Sequence, residues 1–444
     1  MRFNDGPLAV YWQYLDPFLL RQRLGQSLFY LHAQPPLFNL YLGLALKTGH
    51  ERAVFVATYL LSGLAVYVGT FVLMRRLSVS PVVAFALATC WATSPAFVAY
   101  EDWLFYTLPV AGLLVLAVLV FDRAARSGTA RDGFAFAMVV FVLCAARSLY
   151  HLLYLVAALG WLALAWRRPL RALVAGAVPL LLLVTLYAKN AVLFGHFAAS
   201  TWTGMNLARL TTDALDQSER ARLVAQGTLR PVSLVPAFSR PAAYPRAYFE
   251  TVAGPRARAL TWETKTTGTA NFNHLGYVAI SDDYLRDAAW VLRHRPGAYL
   301  RSVREAWEVY FRSPSDLRFL GITNIDALRP ATDAYDAVFF GRWAAGENAA
   351  PQYWLLRLGL PLVFAYGLVC ALGRAGGREL DRSQRIAVGF LCFNIAYVAL
   401  VGNLLELGEN NRFRFETDPL SLCLLGLLLD RSLIPRSRGV VARA

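Results

Sequence analysis

The sequence predicts a mostly α protein: a polytopic bundle of membrane helices with one outward-facing domain, α or α+β in character, inserted between the spans. Three observations carry that expectation. Of 444 residues, 57% are hydrophobic and 16% charged, where soluble domains carry about 25% charged residues, and the mean hydropathy is +0.41. Apolar runs long enough to cross a bilayer recur along the chain. One stretch of about 160 residues, 189–352, interrupts them with prolines, charges and amides. The net charge of +15 would suggest nucleic acid for a soluble protein, but beside so much apolar sequence it fits Arg-rich loops and anionic headgroups. Nucleic acid is therefore set aside as a partner and the lipid bilayer taken in its place. Cys90, Cys144, Cys370, Cys392 and Cys423 all fall in apolar stretches, which implies neither a disulfide framework nor a cysteine metal site.

Taken in order, Met1 leads directly into the polar, aromatic run "RFNDGPLAVYWQYLDPF", which reads as no signal peptide. The next stretch, "FYLHAQPPLFNLYLG" at 29–43, breaks at Pro35 and Pro36. Proline lacks an N–H and keeps the residue before it out of the helical region. The apolar run 35–47 behind them is too short to cross, and is expected to lie at the outer interface. Runs of about 17 to 25 residues span the hydrocarbon core. Candidates are 53–74, 81–98, 104–121, 150–166, 172–188, 353–373, 385–402 and 417–430, with the shorter 134–146, nine in all.

Lys and Arg collect in short cytoplasmic loops. Connections 75–80, 122–133, 167–171 and 374–384, with the tail 431–444, hold 15 of them, and these are every second connection. One orientation satisfies the chain, with the carboxyl terminus in the cytoplasm and the membrane an inner or plasma membrane. It divides the chain into a first external loop with interfacial helices (1–52), an amino-terminal bundle (53–188), an extracytoplasmic domain (189–352), carboxy-terminal membrane helices (353–430) and a cytoplasmic tail (431–444). With residue 1 outside, the reading favours a further membrane helix upstream. Within 189–352, "TLRPVSLVPAFSRPAAYPRAYFETVAGPRARA" reads as irregular. "SDDYLRDAAWVLRHR" reads as a helix capped by Ser281, and "PGAYLRSVREAWEVYFR" as another.

The conspicuous polar residues fall on the outer side. Asp5 and Asp16 precede His32 and Gln34; a carboxylate there can take a proton from a hydroxyl, or Asp16, before Pro17, simply caps a helix. Glu101 and Asp102 share a tight turn, facing either a cavity or plain solvent at the interface. Arg147 and His151, four apart, share a helical face and can hold an anionic headgroup or, for His151, a metal; otherwise Arg147 snorkels and His151 packs in the bundle. "KNAVLFGHFAASTWTGMN" starts at Lys189 and reads as a sugar-binding lining or a linker. In "ELGENNRFRFETDP", Asn411, Arg412 and Arg414 sit among acids. Those guanidinium groups either fork onto phosphate oxygens or pair locally with glutamate.

"LHAQPPLFNLYLG" behind an Asp-bearing loop, "YEDWLFY" after two further spans, "KNAVLFGHFAASTWTGMN" and "GENNRFRFETDPL" together resemble the C-type (GT-C fold) integral-membrane glycosyltransferases. The similarity is to the protein mannosyltransferase and aminoarabinose transferase branch, and covers most of 1–205 and 385–430. It implies inverting transfer of a sugar from a polyprenyl-phosphate donor to an acceptor outside the cytoplasm. A first-loop acid, Asp5 or Asp16, is then the base, Glu101 and Asp102 are the second-loop acids, and Arg412 or Arg414 clamps the lipid phosphate. His32, Gln34, Arg147, His151, Lys189 and Asn411 complete the expected substrate contacts. The cofactor is left unassigned; a divalent metal is compatible with the acids but not required by them. The competing class is a non-catalytic polyprenyl-phosphate binder or lipid-linked sugar transporter on the same scaffold. Nearly charge-free spans argue against transport, which usually places ionisable groups at the midplane.

Overall fold

A computed structural model describes residues 3–250, 255–316, 328–344, 351–374 and 380–433. The protein is 75% helix and 2% strand. Among the described residues the strands are one antiparallel pair, Arg342–Trp343 with Gln352–Tyr353, so the polar insertion is helical rather than α+β.

Among the described residues five helices are long and apolar enough to cross a membrane: Glu51–Arg76, Thr107–Ser127, Pro169–Phe194, Trp354–Ala371 and Arg382–Leu405. They cover the expected runs 53–74, 172–188 and 385–402 and overlap most of 104–121 and 353–373. The run 81–98 is broken into Pro81–Ala92 and Pro95–Glu101, bent by 62°. Pro95 cannot donate to the helix before it, and Ser94 starts the second segment by accepting from the Phe97 N–H at 3.2 Å. The three remaining runs are helices of a different kind. Ala130–Ala146 and Leu152–Trp166 have 17 and 15 residues. Asn410–Leu433 places Arg412, Arg414, Glu416 and Asp418 in its first turns, all buried. Among the described residues, length and composition support five membrane-length helices, or six if the bent pair is one span, where the sequence suggested nine.

The Arg-rich connections gather at one end. Arg76 and Arg126 both pair with the buried Asp122, at 3.1 and 2.9 Å, and Arg126 reaches Asp381 at 3.3 Å. Gln384 donates to the Arg76 carbonyl and to Ser78, Arg382 to the carbonyls of Leu164 and Ala165, and Asp430 accepts from the Ser80 N–H. Connections that alternate along the chain thus lie together in space.

At the other end, the short helix Pro36–Lys47 follows Pro35 as expected. The helices of the polar insertion include Thr203–Leu210, Gly276–His294, Pro296–Tyr310 and Arg329–Phe340, with two short 3-10 turns between Pro231 and Ala243. The helix containing "SDDYLRDAAW" begins at Gly276. Ser281 is therefore inside it, not its cap; its hydroxyl accepts from the Gly204 N–H at 3.1 Å. There Thr203–Leu210 crosses Gly276–His294 so closely that a Cβ on Gly204 would fall 1.7 Å from the Ser281 carbonyl oxygen. Trp202, Phe272, Tyr277 and Tyr284 of the insertion join the same buried cluster as Phe55, Tyr59, Phe121 and Phe390 of the bundle. One apolar core therefore runs through both.

The first fifty residues are clasped to the insertion. Lys265 donates to the Tyr11 carbonyl at 2.8 Å and the Thr266 N–H to Asp16 at 2.5 Å, while Trp12 stacks on Phe238 with centroids 5.1 Å apart. Burial holds the Lys265 ammonium down at about 8, partly offset by Asp16.

Candidate functional site

Between this clasp and the helix ends lies a cavity of about 810 Å³, within the range of small-molecule sites. Three parts of the chain give it charge. Arg147 ends the helix Ala130–Ala146, Arg209 lies on Thr203–Leu210, and Glu406, Glu409 and Arg412 span the turn from Arg382–Leu405 into Asn410–Leu433. Aromatic side chains close it: Tyr11 and Trp12 from the first loop, Trp103, Phe105 and Tyr106 from the second, and Trp202 and Phe238 from the insertion.

The turn carrying the acids is locally determined. Gly408 takes φ +110°, a region that L side chains avoid, which reverses the chain between the two glutamates. Asn410, fully buried, accepts from the Gly408 N–H at 3.0 Å and donates to the Glu406 carbonyl at 3.0 Å. Burial, reinforced by Glu409 alongside, raises the Glu406 carboxyl above its ordinary value. Glu409 is engaged by the Arg412 guanidinium.

Arg412 is 1% exposed. Its guanidinium lies over Phe105 at 4.7 Å, Phe413 at 5.1 Å and Tyr106 at 5.4 Å, and its Nε has no hydrogen-bond partner among the described residues. Arg147, 3% exposed, is bound to the buried Glu416, which also accepts from Tyr150 at 3.1 Å. Phe413 covers its other face at 4.4 Å. The mouth of the cavity is apolar and open: Leu153 is 68% exposed, Phe197 56% and Leu405 42%. The wall thus sets three arginines among carboxylates behind an apolar entrance.

Of the residues expected from sequence, Gln34, Arg147, His151 and Arg412 meet on this cavity. Gln34 accepts from Ser148 at 3.4 Å, and the His151 ring stands edge-on to Tyr397 at 5.8 Å. The four expected acids do not line it. Asp5 is half exposed, 3.8 Å from Arg52. Asp16 is buried as the cap of Pro17–Gln22, accepting from Leu19 and Thr266. Glu101 packs over Gly63, where an added Cβ would meet its Oε1 at 2.1 Å. Asp102 ends the helix Pro95–Glu101, and burial raises its carboxyl. The loops that carry Asp5 and Asp102 do meet, through the Asn4–Trp103 bridge, but the aromatic side chains face the cavity in their place.

His32, Lys189, Asn411 and Arg414 make structural contacts away from the cavity. His32 is bonded to Thr201 and Asn273. Lys189 donates to the Leu31 carbonyl at 2.6 Å, and Asn411 to the Ser313 carbonyl at 2.8 Å. Arg414 pairs with Asp418 at 3.2 Å and donates to the carbonyls of Tyr310 and Arg312. Sequence reasoning passed over Glu406, Glu409 and Arg209. The available signal was the glycine between two glutamates in "ELGE", directly after an apolar helix. Among the described residues no group of three or more His, Cys, Asp or Glu side chains is placed to hold a metal. Comparison with protein-family models, with curated proteins and with solved structures finds no match for the chain.

Proposed function

We propose that the protein is a membrane glycosyltransferase that moves a sugar from a polyprenyl-phosphate donor to an acceptor hydroxyl, with inversion. The reaction lies at the face of an inner or plasma membrane opposite the Arg-rich connections. In this reading 189–352 is extracytoplasmic and the carboxyl terminus cytoplasmic, and the scaffold is of the GT-C kind that the sequence resembles. The observation that carries it is the composition of the cavity: Arg147, Arg209 and Arg412 with two carboxylates, behind an entrance of exposed Leu153, Phe197 and Leu405.

Each part has a use in that reaction. The isoprenoid tail stays in lipid against the apolar entrance, and the phosphate enters among the arginines, whose planar donors match its oxygens. When the anomeric C–O bond breaks, the electron pair leaves with the phosphate oxygen, and fixed cationic groups stabilise that developing charge. A carboxylate on the same wall receives the acceptor proton. One displacement on one face inverts the anomeric centre. Aromatic side chains such as Trp12 offer flat surfaces to the sugar.

The test is release of polyprenyl phosphate by purified protein. Donors carrying a hexose, a pentose or an amino sugar are presented with solubilised envelope lipids and proteins as acceptors. Arg412→Gln is expected to raise the donor KM about tenfold or more, since a charge-assisted hydrogen bond contributes about 1.5 to 3 kcal/mol. Donor bound or moved across vesicles without cleavage of the phosphate–sugar bond would exclude the transferase and leave the lipid-phosphate binder or transporter.

A further inference from the structure

Building on the transferase reading, we propose that Glu406 is the proton acceptor of the reaction. The cavity holds two carboxylates, and they are not equivalent. Glu409 is bound to Arg412, and its negative charge is already spent on a neighbouring cation. Among the described residues the Glu406 carboxylate has no hydrogen-bond or ion-pair partner, although it lines the cavity. The acids suggested by the sequence are occupied or elsewhere: Asp16 caps a helix, Asp5 faces Arg52, and Glu101 and Asp102 are off the cavity.

A second feature of the same wall bears on where the donor would bind. Arg412 is almost fully buried, yet its Nε lacks a partner. A buried donor left unpaired costs about 1 to 3 kcal/mol, which an anionic oxygen would recover once a turn of the side chain opened that nitrogen to the cavity. The proposed base and the unmet donor are six residues apart, joined by the turn that Gly408 and Asn410 hold. A phosphate at Arg412 and an acceptor hydroxyl at Glu406 are thereby brought to one place. Burial and the adjacent Glu409 strengthen the hold of Glu406 on a proton, which suits a base better than an ordinary surface carboxylate.

The step balances. The acceptor oxygen forms a bond to the anomeric carbon, the bond from that carbon to the phosphate oxygen breaks, and its electron pair leaves on polyprenyl phosphate. The acceptor proton passes to Glu406. Release to water restores the carboxylate.

The test separates this assignment from the reading beneath it. Binding of polyprenyl phosphate alone is followed by tryptophan fluorescence, since Trp12, Trp103 and Trp202 stand on the wall. Turnover is followed by release of polyprenyl phosphate from the sugar donor. E406Q is expected to bind polyprenyl phosphate within about threefold of wild type and to lose 10² or more in kcat, the range general bases contribute. E406D is expected to regain part of that loss, and E409Q to act on the donor KM, by loosening Arg412. E406Q that binds lipid phosphate and turns over within a few-fold of wild type overturns the assignment while leaving the transferase intact, as does a kcat loss confined to E409Q. Wild-type protein that binds but never cleaves the donor overturns both.

Discussion

The His32 ring makes two hydrogen bonds, one donated and one accepted, in a site closed to water. A carbonyl can only accept, so Nε2 must carry the proton toward Asn273, at 3.0 Å, and Nδ1 must accept from the Thr201 hydroxyl, at 2.8 Å. Burial holds the imidazole neutral and lowers its pKa to about 3. The unfolded chain takes up that proton near pH 6.5, so the His32 contribution is complete above that pH. It is lost as pH falls toward 3, by about 4 to 5 kcal/mol over the whole window. Thermal unfolding in detergent between pH 7 and 5 should therefore fall more steeply for wild type than for His32→Gln; equal slopes would mean the ring is not buried neutral.

At this scale the sequence was half legible. Arg147, His151, Gln34 and Arg412 announce themselves as polar groups at the ends of apolar runs, and they converge. The acids mislead because a carboxylate before proline, such as Asp16, serves a local cap equally well. Glu406 and Glu409 look like counterions of the neighbouring arginines, and only the fold separates the bound one from the open one.

Among elements, the crossing of Thr203–Leu210 over Gly276–His294 depends on the missing side chain at Gly204, with backbone on the far side that cannot move away. Gly204→Ala is expected to cost about 2 kcal/mol or more by overpacking. Gly160→Ala, inside Leu152–Trp166 with nothing within 4 Å of the new Cβ, should be neutral or stabilising by up to about 1 kcal/mol. Thermal midpoints of the two variants measure the contrast, and equal shifts would refute the close crossing. Helix identity was readable from apolar runs. The break at Ser94–Pro95 and the polar start of Asn410–Leu433 were not, because a hydropathy run records composition and not where a backbone donor is missing or which charges find buried partners. Gly276 begins its helix five residues before the expected cap because tertiary packing around Tyr277 and Ile280 outweighs the local preference of Ser281.

For the whole molecule, the alternation of basic connections was the most legible feature, and their side chains meet through Asp122, Asp381 and Gln384 at the end opposite the cavity. Sidedness is open to direct measurement. With Cys90→Ser as background, Ser127→Cys and Ser218→Cys, both exposed positions, should react differently with an impermeant maleimide on intact cells. Ser218→Cys is expected to label, and Ser127→Cys only after permeabilisation. The reverse pattern would turn the protein over in the membrane and move the cavity to the cytoplasmic face.

The link from His32 to Asn273 also sets an order of events during synthesis. Thr201 arrives 169 residues after the histidine, and Asn273 completes the set only once the ribosome has added 241, which takes about 10 to 50 seconds at common elongation rates. Through most of that interval Trp12 is also unclaimed, since its ring partners Phe238 and Phe272 come equally late, whereas Tyr11 and Tyr14 find Trp103 and Phe105 early. A chaperone or insertase that shields Trp12 and the His32 ring would act in that window, until translation catches up.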